Sequence, residues 1–249
     1  IVSGRGHLQG SRSMTDTPRM SLPLLAPAQA QKHVTVNEAL ARIDALTHLT
    51  LASVSLTVPP VSAPEGTIHA VPPGAVNAWA GHEGQLAIAV AGGWVFVPPR
   101  RGWRALVLDM GVPAIWDGTD WQMGAVTLSP SGSALALRSF EFDFLITSGT
   151  TLTTPVAIPA RALVFGVTGR VITTITGGAT SWRLGVAGST TRFGNGLGVA
   201  QNSWVSGPVA PIVYWAPTSL VLTATGGNFA EGLVRLVVHF ADLTLPVPV

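Results

Sequence analysis

The sequence contains no cysteine, which excludes disulfides, thiolate metal centres and cysteine nucleophiles. Charge is scarce: 10% of residues are Asp, Glu, Lys or Arg, against about 25% in an ordinary soluble domain. No uncharged apolar run reaches the ~18 residues of a spanning helix, so membrane insertion is not expected. The stretch from Met14 also lacks the basic-then-apolar pattern of a signal peptide, which points to synthesis in the cytoplasm. An excess of one sign of charge is missing too, with 14 basic and 12 acidic residues. Residues 1–13 (IVSGRGHLQGSRS) read as an expression-vector leader, which contributes Arg5 and Arg12 and no acid. The chain that follows is therefore neutral. It has no field to attract a polyanion, so no nucleic-acid partner is expected.

What is present is 47% hydrophobic residues, 28 Gly, 19 Pro and eight Trp in 249 residues. Disorder needs low hydrophobicity and high charge, which this is not. Apolar segments punctuated by Gly and Pro predict an all-β fold. One helix is expected over roughly 35–50. Thr35 and Glu38 have capping-box spacing, and Val36, Ala39, Leu40, Ile43, Leu46 and Leu49 form a wide apolar stripe. A lone helix of about 15 residues is marginal, so the stripe needs a partner, such as another copy of the chain.

The predicted organisation is an N-terminal arm and helix over 14–55, a small Trp-rich β domain over 56–126, and a β-sandwich or jelly roll over 134–249. Residues 127–133 (TLSPSGS) read as the linker. In the small domain, Ala91-Gly92-Gly93 and Trp116-Asp117-Gly118-Thr119-Asp120-Trp121 read as hairpin turns, with Trp94, Trp103, Trp116 and Trp121 filling the core. In the last domain, strands are expected near 151–158, 162–168, 170–176, 181–187, 199–205, 211–215, 219–225 and 232–244. Before them, Leu135, Leu137, Phe140, Phe142 and Phe144 alternate with Arg138, Glu141 and Asp143 as one more strand.

The stretch LPLLAPAQAQKHVTVNEALARIDAL, from Leu22 to Leu46, resembles the opening of a domain found in prophage and gene-transfer-agent structural proteins. So does Ile115-Trp116-Asp117-Gly118-Thr119-Asp120-Trp121 further on, and the resemblance covers about 22–122. It implies a head-spike or tail-fibre component of a phage-like particle, assembled with other particle subunits and released to the extracellular space. Gene-transfer-agent head spikes engage the capsular polysaccharide of the recipient cell, so the resemblance implies that ligand here. It brings no catalytic residues. Such proteins form closed rings, which favours a homo-oligomeric trimer over the pentamer that a fivefold head vertex would suit.

Other chemistries find little support. Gly177-Gly178, Gly194-Asn195-Gly196-Leu197-Gly198 and Gly226-Gly227 lack both the Walker lysine and a following helix, so they read as turns and no nucleotide or other cofactor is expected. The histidines are dispersed, and Asp109, Asp117 and Asp120 lack EF-hand spacing, so no metal site is expected. Glu141 and Asp143 share one strand face roughly 7 Å apart, the separation of a glycosidase pair. Charged residues occupy the wet face of a strand by default, however, so the expectation is a binding protein and not an enzyme, with a capsule-degrading glycoside hydrolase and a non-receptor scaffold subunit as alternatives. A weakly charged glycan is held by aromatic faces and planar polar groups. The candidates for that role are Trp182, Arg183, Arg192, Asn195, Asn202 and Trp204, with Trp204 or Trp182 preferred to Trp215, and the 188–208 region read as a long polar turn.

Overall fold

The computed structural model describes residues 16–25 and 32–246. The expected leader lies outside them. Two compact units divide between Trp121 and Gln122.

In the first unit, α1 (Lys32–Leu46) begins three residues before the expected cap, so Thr35 sits inside the first turn. It stops at Leu46 because His48 takes a left-handed backbone conformation (φ 48°), and β1 (Thr50–Leu51) begins where the helix was expected to continue. The helix buries Asp44 and Ala45, while Val36 and Ile43 from the expected stripe are exposed. Its end is held by the preceding segment. Asp44 accepts the Thr17 hydroxyl at 2.7 Å, the Arg19 amide at 3.0 Å and the Met20 amide. Arg19 donates in turn to the carbonyls of Asp44 (3.0 Å) and Ala45, groups that a helix terminus leaves without internal partners, and to that of His48 (2.9 Å) just beyond the helix. The part of the expected arm that is described here is therefore a built C-terminal clamp.

The rest of the unit is two small sheets. One includes β1, β5 (Arg104–Val107) and β6 (Val112–Trp116), with β7 (Trp121–Met123) starting at the last residue of the unit; the other is β2 (Ile68–Ala70), β3 (Leu86–Val90), β4 (Gly93–Val97). The Val90↔Gly93 register leaves Ala91 (φ 51°) and Gly92 (φ 75°) as a two-residue turn. Two positive φ angles give the turn type that matches strand twist. Asp117 shapes the other predicted turn by accepting the amides of Thr119 and Asp120 and the Thr119 hydroxyl, each at 2.8 Å. Of the expected tryptophans, Trp116 is buried and Trp94 packs against the core, but the largest contribution comes from one outside that set. Trp79 is fully buried and packs edge-on to Trp94 at 5.1 Å, with His69 5.2 Å from Trp79.

Burial holds the His69 imidazole below its ordinary value of 6.5, opposed by the charge of Asp109. The folded unit thus resists a proton that the unfolded chain accepts. Stability is fully present above pH 6.5 and falls as pH drops below it, until the folded histidine protonates as well. Chemical denaturation of the chain between pH 7.5 and 5 should show this loss in the tryptophan signal of the first unit, and His69→Phe should flatten the slope.

The second unit is a jelly roll of two antiparallel sheets, as expected. The eight long strands are β9 (Ala134–Ile146), β10 (Thr151–Ile158), β11 (Ala162–Thr173), β12 (Ser181–Val186), β13 (Ser189–Leu197), β14 (Trp204–Tyr214), β15 (Thr218–Thr225) and β16 (Gly232–Leu243). They pair first with last and inward: β9 with β16, β10 with β15, β11 with β14, β12 with β13. This is one long hairpin rolled up, giving sheets β10-β15-β12-β13 and β14-β11-β16-β9, the latter extended by β8 (Ala125–Leu128). The two inner faces meet in a core that includes Trp182, Leu184, Phe193, Leu222, Val164 and Leu236.

Three expectations change here. The supposed linker 127–133 is the end of β8 and the turn of the β8–β9 hairpin, closed by Ser129 bonding to Ser133, and the division between the units falls earlier, after Trp121. The two strands expected at 162–168 and 170–176 are one, β11, which ends at Thr173, because the glycines at 166 and 169 serve close backbone approaches and not a break: a Cβ at Gly166 would lie 2.5 Å from the Gly207 carbonyl oxygen. Much of the 188–208 region is strand, β13 and the start of β14, because Ser, Thr and Gly there pair along a sandwich edge. In β9 Phe142 and Phe144 pack against the core while Phe140 is exposed, and Leu135 and Leu137 lie on the outer face with Glu141 and Asp143.

Candidate functional site

Trp204 opens β14, and its indole is 64% exposed. The turn preceding it is tied to β11: Val171 donates to the Ser203 carbonyl (2.8 Å), Asn202 to the Val171 carbonyl (2.9 Å), and the Gln201 side chain to the Ile172 carbonyl (3.0 Å). The indole therefore stands on a fixed base, and it borders two shallow grooves.

The first groove, about 530 Å³, runs along the sandwich edge between β13 and β14 and is lined by Asn195, Leu197, Ser203, Trp204 and Ser206. Gly194, Gly196 and Gly198 leave its floor as bare backbone. The second, about 400 Å³, lies on the outer face of the larger sheet against Thr168, Arg170, Trp204, Ser206 and Arg235. Together they offer an aromatic face, hydroxyls, an amide and guanidinium groups. That mixture suits stacking and hydrogen bonding to a polyhydroxylated ligand.

Of the sequence candidates, Asn195 and Trp204 come together here, and Asn202 joins through its backbone carbonyl, which accepts Arg170 Nη1 at 3.1 Å. Asn202 adopts φ 68°, a left-handed conformation that Asn tolerates. Trp182 is elsewhere. It is 1% exposed and donates its indole N–H to the Gly198 carbonyl at 2.9 Å, so it supports the first groove from below and has no face free for a ligand. Its neighbouring turn residues suggested exposure, but even-numbered positions on β12 point into the core. Arg183 lies on the opposite side of β12 from Trp182, away from both grooves. Arg192 is beside Tyr214, whose phenol is pushed above its ordinary value by burial against the core, with the nearby Arg192 charge opposing. Trp215, placed last in the sequence reading, is 79% exposed at the far end of β14.

The sequence reading missed Thr168, Arg170, Ser206 and Arg235. Thr168 and Arg170 alternate with Val167 and Val171, an inside–outside pattern that identifies a polar strand face but not what lies across from it.

The two carboxylates of the hydrolase alternative are on the outer face as expected. Asp143 accepts both Nε (2.7 Å) and Nη2 (2.9 Å) of Arg235, and Glu141 lies 3.7 Å from the same Nε. The hydrogen bonds from Arg235 hold the Asp143 carboxyl below its ordinary value, the reverse of the shift a general acid requires. Among the described residues, no three His, Asp or Glu side chains gather into a metal-binding group, and no helix is long and apolar enough to cross a membrane.

Residues 36–122 match the family described as protein of unknown function DUF2793. That span is the small Trp-rich unit with most of its helix, and it coincides with the stretch whose sequence resembles phage-particle structural proteins. Among solved structures, the chain is similar to one titled cyanophage Pam1 capsid asymmetric unit, at 26% identity over 44% of this chain and 84% of that one, with a TM-score of 0.30. No curated protein matches this chain significantly.

Proposed function

We propose that this chain is a structural spike or fibre subunit of a phage-like particle of the gene-transfer-agent kind, and that its jelly roll adheres to bacterial capsular polysaccharide through the surface around Trp204. The observation that carries the adhesion is a rigidly mounted, exposed indole between two polar grooves. The particle role rests on the resemblance over 22–122, and the DUF2793 match at 36–122 marks the same stretch as a domain of its own. In this reading the protein binds without cleaving, works as a homo-oligomer, trimer in preference to pentamer, and reaches the cell exterior on the particle. Several copies then supply avidity to weak single sites.

The exposed outer face of the larger sheet supports assembly. Leu137, Ala241, Leu163 and Val213 form one apolar row across four strands, in which Leu137 and Val213 are exposed and Ala241 is covered, next to the exposed Leu135–Leu243 pair. Sedimentation equilibrium should show a stable oligomer at micromolar concentration, and a monomer would refute this part.

Calorimetric titration with purified host capsule tests adhesion. Trp204→Ala should weaken binding by about 10–100-fold, as expected for a central stacking aromatic, with an unchanged Tm because the side chain is exposed. If intact oligomer is retained on no capsule, the non-receptor scaffold reading replaces this one. If the polysaccharide is shortened during incubation, the hydrolase reading does, and Glu141 and Asp143 are the first residues to change.

A further inference from the structure

Four strands each place one residue on a single row of the outer face, in the order Asp143, Arg235, Arg170, Trp204. The two arginines are thus direct cross-strand neighbours, an arrangement in which like charges repel. Arg235 is compensated by the two-point pair with Asp143 and by Glu141. Arg170 has no carboxylate within ion-pair distance among the described residues. One of its N–H groups goes to the Asn202 carbonyl, which orients the guanidinium, and the side chain lines the second groove beside Trp204, Ser206 and Thr168.

We propose that this groove reads a carboxylate on the bound glycan, with Arg170 receiving it and Trp204 stacking on the same sugar ring. The inference rests on the glycan-binding reading above and narrows its ligand to carboxylated polysaccharide, a uronic acid being the simplest form. A guanidinium fork matches a carboxylate in two-point geometry, which an ammonium does not. The incoming charge also neutralises the uncompensated member of a repelling pair. Across the indole, the groove along β13 presents Asn195, Ser203 and Ser206 and no ionisable side chain, which suits a neutral neighbouring sugar. The bound chain would then alternate acidic and neutral units across Trp204.

The test uses the full chain in affinity electrophoresis through gels containing uronic-acid capsular polysaccharides, or the same polymers after chemical reduction of their carboxyl groups. Wild type, Arg170→Gln, Arg170→Lys and Trp204→Ala are compared, with Tm measured for each. Carboxyl reduction should weaken wild-type binding about tenfold, the scale of one charge-assisted hydrogen-bonded contact. Arg170→Gln should bind the native polymer about tenfold more weakly and cease to distinguish it from the reduced one. Arg170→Lys should fall between, and the discrimination should shrink at 0.5 M salt because the contact is exposed. If wild type and Arg170→Gln hold native and reduced polymers alike while Trp204→Ala releases both, the carboxylate inference is overturned and the glycan reading stands. Retention of neither polymer, or retention unaltered by Trp204→Ala, refutes the glycan reading and this inference with it.

Discussion

Trp182→Ala is expected to lower the stability of the jelly roll by about 3–5 kcal/mol, the usual cost of emptying a large aromatic site in a core. The indole is among the largest fully buried side chains of the protein, and its N–H is bonded to Gly198. The substitution therefore opens a cavity and strips a partner from a carbonyl at the groove floor. Thermal unfolding should show a Tm lower by roughly 10–20 °C for a domain of this size. The contrast with Trp204→Ala is the informative part. Two tryptophans that look equivalent in sequence, each flanked by polar and turn residues, should separate cleanly. One substitution should cost stability, and the other binding alone. A Tm for Trp182→Ala within 3 °C of wild type would contradict the placement of this side chain in the core.

Asp44→Ala should be the most damaging polar substitution in the first unit. Asp44 is 2% exposed and gathers the Thr17 hydroxyl and two backbone amides. Hydrogen bonds to a charged group contribute about 1.5–3 kcal/mol each, although losses within one network are not additive. A net loss of about 3 kcal/mol is expected, with Asp44→Asn losing less because its amide oxygen can still accept. Hydrogen exchange provides a local readout: the amides of Arg19 and Met20 should lose protection in Asp44→Ala. Arg19 should then release the helix carbonyls it caps, since its backbone position depends on Asp44. Equal protection in the variant and wild type would show that the segment is held by something else.

The all-β character, the Ala91-Gly92 turn and the Trp-Asp-Gly turn were legible because they depend on residues adjacent in the chain. Paired positive φ angles need small residues, and an Asp side chain reaches its own turn amides, so local chemistry suffices. The strand spacing likewise foretold a rolled sandwich, since eight strands of alternating pattern have few ways to bury one face each. Helix boundaries were less legible. Thr35 and Glu38 have the spacing of a cap, but the structure carries the helix three residues further back and ends it at a left-handed His48.

The candidate site divides the same way. Of the six residues the sequence brought forward, the structure sets Trp204 and Asn195 at the first groove and Asn202 beside Arg170 through its backbone carbonyl, while Trp182, Arg183 and Arg192 line neither groove. The sequence could not separate Trp204 from Trp182, because that depends on strand parity: the side chain one residue along a strand faces the other way, and only the assembled sandwich decides which face is wet. Nor could it find Arg170 or Arg235, which are 65 residues apart in sequence and become neighbours only through β11–β16 pairing. What the sequence determined by itself was the class of fold, the turns and the kind of surface chemistry available. What tertiary structure alone decided was register, since cross-strand contacts join residues distant in the chain, and register sets which side chains meet around Trp204.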